Sequence, residues 1–253
     1  MYFVSVIMPY FKKKEYVEKS ILSVMKQTYR NLELIIVYDD ESGEDYEYIN
    51  NICNKFHNIK VIKNKKNLGA GESRNIGIKF SKTKYIAFLD SDDLWHKNKL
   101  KFQLDYMNKY QLLISHTSYN IINESGKKIS SRKSKKKLYY KDILNSCDIG
   151  LSTVMINLNF LNKNNFKFPK IKTKEDYVLW LKILKKTSFI KGINKNLTNY
   201  RKTKNSLSSS SFVNIINGYK VYRDYMKMGI IESLYRLLIL STNYLKKKII
   251  NDI

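Results

Sequence analysis

The residues of this 253-residue chain best suited to chemistry are Asp90, Ser91, Asp92 and Asp93, which end the apolar run Tyr85-Ile-Ala-Phe-Leu89. Three carboxylates within four residues repel one another unless a cation sits among them, and a hard divalent metal is the simplest such cation. A metal held by one or two carboxylates can bridge phosphate oxygens, so a diphosphate-activated substrate is the matching chemistry. The competing assignment for Asp92 or Asp93 is a helix N-cap before Leu94 and Trp95. Asp39-Asp40-Glu41-Ser42-Gly43 follows a second apolar run, Leu32 to Val37. In most chains that is an acidic turn, but at a strand end a carboxylate can also accept a hydrogen bond from a nucleobase N–H. Glu175-Asp176 opens a third apolar segment, Tyr177-Val-Leu-Trp180. It offers either favourable charge at a helix N-terminus or a general base tuned by burial.

Gly69-Ala70-Gly71 is not a dinucleotide fingerprint, because Arg74 stands where the third glycine would be, and no phosphate-loop lysine follows. Glycines before a helix still let backbone N–H groups approach a phosphate. His57, His96 and His116 have no metal-ligand spacing, and no Ser/His/Asp arrangement stands out.

The elements that position these residues follow from hydrophobic periodicity. Short continuous apolar runs at Phe3 to Met8, Leu32 to Val37, Ile59 to Ile62 and Tyr85 to Leu89 read as strands. Between them lie helical patterns at 14–26, from the acidic turn to about Phe56, and after Asn67. Alternation of buried strands with helices predicts an α/β fold with a mostly parallel sheet covered on both faces. Ligands of such sheets bind beyond the carboxyl ends of the strands. Pro9-Tyr10, Asp39-Asp40 and Asp90-Ser91-Asp92 are therefore expected to converge on one crevice. Residues 97–110 read as an amphipathic helix, Lys127 to Lys137 as an exposed basic loop, about 141–205 as a less regular second half, and 212–253 as helical.

The net charge of +25 suits an anionic partner. Only Arg30, Arg74, Arg132, Arg201, Arg223 and Arg236 are arginines, however, and the lysines sit in a chain crowded with Asn and Ile, as in an AT-biased composition. Base readout favours arginine, so nucleic acid is not the expected partner. Cys53 and Cys147 form no framework and fit a reducing compartment. Pro9 comes too early for a signal peptide and no apolar run is long enough to span a bilayer. A cytosolic protein is expected, able to associate with a membrane surface; the resemblance described below would make that surface the inner face of the cell membrane.

Taken together, these segments resemble the family 2 glycosyltransferases of GT-A fold. Val4-Ser-Val-Ile-Met-Pro-Tyr10 is similar to the opening strand of that family, and Glu18 to Thr28, with its Ser-x-x-x-Gln-Thr ending, to the first helix. Glu33 to Ser42 resembles the nucleotide-binding acidic turn, and Asn67-Leu-Gly-Ala-Gly-Glu-Ser-Arg-Asn-Ile-Gly77 the Asn-x-Gly…Ala-Arg-Asn-x-Gly segment. Phe88 to Trp95 resembles the D-x-D motif, Lys174 to Trp180 the segment carrying the base, and Asn199 to Ser208 the later Tyr-Arg…Ser-x-Ser stretch. Glu41 takes the usual glycine position of the acidic turn, Ser73 replaces an alanine, and no histidine follows Arg201.

The resemblance implies a Rossmann-like, mostly parallel sheet flanked by helices, with a C-terminal helical extension. Residues 1–110 would form the nucleotide-sugar-binding half, 111–208 the acceptor-binding half, and 209–253 the basic extension. It implies an inverting, metal-dependent transfer of a sugar from a nucleotide diphosphate donor, most often UDP, in bacterial surface polysaccharide or lipooligosaccharide synthesis. Pro9, Tyr10 and either Asp39 or Asp40 would hold the nucleoside. Gly71 and Arg74 lie on the segment closing over it. Asp92, assisted by Asp90 across Ser91, would hold Mg²⁺ or Mn²⁺, and Asp176 would be the base for a glycan or glycolipid acceptor. The alternatives are a non-catalytic nucleotide-sugar binder and a basic nucleic-acid-binding protein.

Overall fold

The computed structural model describes residues 3–203 and 211–252. Four strands, β1 (Val4–Tyr10), β2 (Leu32–Tyr38), β3 (Ile59–Lys63) and β4 (Tyr85–Phe88), alternate with α1 (Lys14–Met25), α2 (Tyr46–Cys53) and α3 (Ala70–Phe80). They pair in parallel in the order β3-β2-β1-β4, as the buried apolar runs predict. The chain continues through β5 (Leu94–Trp95), α4 (Lys99–Lys109), β6 (Ile114–Ile122), β7 (Lys128–Arg132), β8 (Lys137–Leu138) and α5 (Tyr140–Asn145). It then forms β9 (Met155–Asn157), α6 (Leu158–Lys163), α7 (Glu175–Leu184), β10 (Ile190–Arg201), α8 (Ser211–Lys220) and α9 (Ile230–Asp252).

All ten of these strands belong to one sheet, ordered β3-β2-β1-β4-β9-β6-β10-β5, with β7 on β6 and β8 on β10. The parallel run ends at β9, which lies antiparallel between β4 and β6, while β6 and β10 are again parallel to each other. The second half is thus more regular than its sequence suggests.

Side chains alternate across the sheet. Val4, Val6, Met8 and Tyr10 face one core with Val17 and Ile21 of α1; Ile7, Ile86 and Phe88 face the other with Trp180 of α7. A Cβ at Gly77 would come within 2.5 Å of Ile7, so that glycine lets α3 lie tightly on β1.

The structure departs from the sequence pattern in two places. Residues 127–137 are not simply a loop: Gly126, at φ +91°, turns the chain into β7, and β8 pairs with β10. Lysines on edge strands discourage intermolecular pairing, and here they disguise the strands as low-complexity sequence. Leu94 and Trp95 do not begin a helix; they form β5, antiparallel to β10, and α4 starts at Lys99. The Ser-x-Ser part of the later stretch and Lys204 lie outside the described residues.

Candidate active site

The carboxyl ends of β1, β2 and β4 lie side by side, because the three strands are adjacent and parallel. The residues that follow them form the floor of a crevice. Behind β2 the two aspartates have different fates. Both oxygens of Asp39 are engaged: Oδ1 accepts from Asn64 Nδ2 (2.7 Å) and the Leu68 N–H (2.8 Å), and Oδ2 accepts from the Gly69 N–H (2.8 Å). It thereby ties down the loop entering α3. Asp40 is equally buried, but only its Oδ1 is engaged, by the Ser42 N–H at 3.2 Å, and Oδ2 has no partner among the described residues.

Pro9 and Tyr10 end β1 beneath this turn. The Tyr10 ring stacks on Tyr38 with centroids 5.2 Å apart, and its hydroxyl donates to Asp45 at 2.5 Å. Burial and the Asp45 carboxylate push that hydroxyl's pKa far up. The Tyr10 side chain is committed to the core, so what β1 presents to the crevice here is backbone.

Behind β4, Asp93 is a structural member of the acidic loop. Its carboxylate accepts from Ser152 Oγ at 2.6 Å and the Arg201 N–H at 2.8 Å. Ser152 Oγ in turn accepts from the Asp90 N–H at 3.1 Å, and Ser20 Oγ faces the Ser91 and Asp93 carbonyls at 2.9 and 2.7 Å. Arg201 Nε donates to the Asp92 carbonyl at 2.8 Å. This scaffold leaves the Asp90 and Asp92 carboxylates to cations: Asp90 Oδ1 to Arg74 Nη2 at 2.7 Å, and Asp92 Oδ2 to Lys13 Nζ at 3.1 Å. The mutual repulsion expected of the cluster is present. Burial first, then the Asp90 charge, raises Asp92 above the usual carboxylate range, and burial with Asp92 and Asp90 raises Asp93 well above it.

Glu175 and Asp176 begin α7 after Lys174, whose left-handed backbone turns the chain into the helix. Glu175 Oε1 accepts from Arg74 Nη1 at 2.5 Å. Gly71 permits this meeting of helices, since a Cβ there would lie 3.2 Å from both Glu175 Cγ and the Pro169 carbonyl. Arg74, almost wholly buried, is thus a clamp with Asp90 on one fork and Glu175 on the other. Asp176 is half-buried, and its Oδ1 accepts from the Tyr177 N–H at 2.7 Å. Burial, and next the neighbouring Glu175 charge, raises it to about 7, against the pull of Arg74.

Arg74, Asp90, Asp93, Glu175 and Asp176 line one cavity of about 300 Å³. The fold thus brings the acidic loop and the carboxylate pair of α7 together, although neither is near the other in sequence. Pro9, Tyr10, Asp39, Asp40, Gly71, Ser91 and Asp92 lie outside that lining. Lys13 and Ser152 escaped sequence reasoning. Lys13 is hidden within a lysine run in a lysine-rich chain, and Ser152 lies in Gly150-Leu151-Ser152-Thr153, which carries no motif. Among the described residues, no three His, Cys, Asp or Glu side chains converge as a preformed metal cage. No helix among them is long and apolar enough to cross a membrane.

Solved structures share this architecture. Staphylococcus aureus TarS 1-349 in complex with UDP-GlcNAc superposes with a TM-score of 0.71 at 21% identity, over 93% of this chain and 70% of that one. The fold is GT-A, with a helical C-terminal extension. An "Uncharacterized glycosyltransferase" of Rickettsia felis is 41% identical over 200 residues, covering 78% of this chain and 33% of the relative. The chain therefore spans about a third of the length of that longer relative. Escherichia coli WfgD, named a UDP-Glc:alpha-D-GlcNAc-diphosphoundecaprenol beta-1,3-glucosyltransferase, is 35% identical over 241 residues, 93% of this chain and 91% of the relative. The profile described as "Glycosyl transferase family 2" matches residues 5–167, more than half of the sequence, and with relatives of this similarity the chain belongs to glycosyltransferase family 2.

Proposed function

We propose that this chain transfers a sugar from a nucleotide diphosphate donor, a UDP-sugar, to a hydroxyl of a glycan or glycolipid acceptor, with inversion, in bacterial surface polysaccharide synthesis. The observation that carries it is the shared cavity: a carboxylate of the acidic loop and a carboxyl group raised to about 7 face the same 300 Å³. A general base works best when its pKa lies near the operating pH. As the acceptor hydroxyl attacks the anomeric carbon from the face opposite the diphosphate, its proton passes to Asp176. The names of WfgD and of the TarS complex, both citing UDP-sugars, support the donor class.

On the donor side, Asp40 Oδ2, with no partner among the described residues, is the oxygen best placed to accept from a nucleobase imide N–H, whereas both Asp39 oxygens already hold the loop at 64–69. Pro9 and Tyr10 would border the nucleoside through their backbone, with Gly71 and Arg74 on the segment above it. Residues 1–110 would then hold the donor and 111–208 the acceptor.

Family 2 enzymes generally use a divalent metal, and the acidic loop fits one. Asp92 already attracts a cationic group, Lys13, and its pKa is raised by the adjacent Asp90 charge, a repulsion that a hard cation relieves. Asp92, with Asp90 across Ser91, would hold Mg²⁺ or Mn²⁺ together with diphosphate oxygens. Such an ion offsets negative charge on the leaving diphosphate. Asp93 is consumed by Ser152 and Arg201 and keeps the loop in shape.

Peripheral contact with an anionic membrane belongs to the same proposal. Ile231, Leu234, Leu238 and Leu245 are more than half exposed along α9, at a spacing that puts them on one helix face. The net charge of +25 complements an anionic leaflet. Stronger sedimentation with anionic than with neutral liposomes is expected; equal binding would count against it. The transferase proposal is tested by incubating the protein with Mn²⁺ and a panel of nucleotide sugars and measuring nucleotide release. One UDP-sugar should be consumed, and faster with a glycan acceptor; no release across the panel would overturn it.

A further inference from the structure

The cavity that Asp176 lines has further lining residues to which the proposed transfer gives no role. Tyr119, near the middle of β6, and Tyr200, next to last in β10, both line it. Neighbouring parallel strands set their rings 6.1 Å apart and 68° to each other, so two aromatic surfaces meet as a corner. Gly150 lies beside that corner: a Cβ there would be in ordinary contact with the Tyr119 ring, 3.4 Å from Cε1. Burial raises the Tyr119 hydroxyl far above its ordinary pKa, so it stays a neutral O–H. The rest of the lining is mixed: Ile149 and Leu151 are apolar, Ser152, Thr173, Thr198 and Asn214 are polar and uncharged, and Asp90 and Asp176 contribute carboxylates.

This combination has a chemical match. A pyranose chair carries hydroxyls around its rim and C–H groups on its faces. The negative face of an aromatic ring attracts those C–H groups, while hydroxyl, amide and carboxylate side chains satisfy the rim. A nucleobase would instead ask for parallel ring stacking with a fixed donor–acceptor edge, and a phosphate would ask for cations. Of the cavity's cations, Arg74 is bound to Asp90 and Glu175, leaving Lys174. The volume of about 300 Å³ is at the low end for small-molecule pockets and suits a single sugar ring.

We propose that Tyr119 and Tyr200 form a saccharide subsite that holds the acceptor's terminal pyranose, with Tyr119 as its aromatic platform. The assignment of that sugar as acceptor rests on the transferase proposal; the binding of a saccharide does not. A ring packed on Tyr119 in the cavity that Asp176 lines would be restrained in which hydroxyl it turns toward the base. The subsite would then select both the acceptor and the position glycosylated.

The test uses the full chain with UDP and Mg²⁺ and, as probes, the methyl glycosides of glucose, galactose and N-acetylglucosamine. Saturation-transfer NMR is expected to show contact at the ring C–H protons of at least one of them. Tyr119→Leu should lower that signal severalfold, whereas Tyr119→Phe, which keeps the ring, should retain it. Thermal unfolding of both variants checks that each is folded, and the phenylalanine variant keeps the comparison valid if the leucine variant is not. Wild-type protein that binds none of the glycosides would overturn the subsite, as would Tyr119→Leu binding like wild type or Tyr119→Phe losing binding. Failure of the transferase proposal looks different: glycosides would bind, yet no nucleotide sugar would be turned over.

Discussion

Asp90-Ser91-Asp92-Asp93 and Glu175-Asp176 are both runs of neighbouring carboxylates at one cavity, and the fold resolves their repulsion in opposite ways. In the first run every carboxylate has a partner: Arg74 for Asp90, Lys13 for Asp92, and Ser152 with the Arg201 backbone for Asp93. In the second, Glu175 takes the other fork of Arg74, and among the described residues Asp176 has only the N–H of Tyr177. A carboxylate compensated by positive charge is a ligand or a strut, because its charge is already in use. One that is desolvated, beside a like charge and without a cation of its own is a proton acceptor near neutral pH. The two runs differ little in sequence, and it is what surrounds them that would assign one to the metal and the other to the proton in the proposed transfer.

The largest expected effect breaks this comparison on the Asp176 side. Asp176→Asn should lower transfer by about 10²–10⁴-fold, the range for a lost general base, while calorimetry still finds donor binding. Transfer near wild type would move the base elsewhere. On the other side, Asp92→Ala should weaken Mn²⁺-dependent UDP binding about 100-fold, given that even groups standing behind a ligand cost about 10–100-fold. Titration with and without Mn²⁺ measures this, and unchanged affinity in the presence of Mn²⁺ would remove Asp92 from the metal site.

The pair Asp39 and Asp40 repeats the contrast on a smaller scale. Asp39→Asn forces an amide N–H₂ against bound donors and should cost about 2 kcal/mol in urea unfolding, because hydrogen bonds to charged groups contribute about 1.5–3 kcal/mol each. Asp40→Asn keeps an oxygen for the Ser42 N–H and removes a buried charge, while its N–H₂ takes the place of an oxygen that already has no partner among the described residues, so stability should change little while UDP affinity drops about tenfold, equivalent to about 1.4 kcal/mol. The reverse pattern would give the nucleobase to Asp39.

How much of this was legible in the sequence follows from range. The parallel half was legible because buried strands are continuous apolar runs and their polar ends mark the crevice. The D-x-D loop, the acidic turn and Asp176 were legible because local motifs carried them. Beyond reach were the contacts that give each acid its role. Nothing local says that Ser152 will cross-link the loop, that Arg74 will bridge to Glu175, or that Asp39 will be spent on residues 64–69. The strands β6, β7 and β10 were hidden because β6 and β10 mix polar residues into half-buried runs and β7 is a lysine-bearing edge. The corner of Tyr119 and Tyr200 exists only because β6 and β10 are sheet neighbours.

The smallest expected effect sharpens the comparison most finely, because it changes the environment of Asp176 and not the base. With its pKa raised to about 7, Asp176 is mostly protonated at pH 6, so transfer should fall roughly tenfold per pH unit below about 7 and level off above it. Glu175→Gln removes the neighbouring negative charge and releases Arg74 from one partner. Both changes favour the Asp176 carboxylate, so the acid limb should move to lower pH, with rates at pH 8 nearly unchanged and rates at pH 6 severalfold higher relative to that plateau. Stability supplies an independent sign. A carboxyl raised in the folded state favours folding while protonated, and that contribution is complete below its ordinary value of 3.8 and lost as pH rises through about 7. Asp176→Asn, which never ionises, should therefore be more stable than wild type at pH 8, and that advantage should shrink toward pH 4. Urea unfolding at the two pH values reads it directly, and an advantage that grows on acidification would mean that Asp176 is ionised more easily in the fold than in the open chain, which a general base poised near neutrality is not.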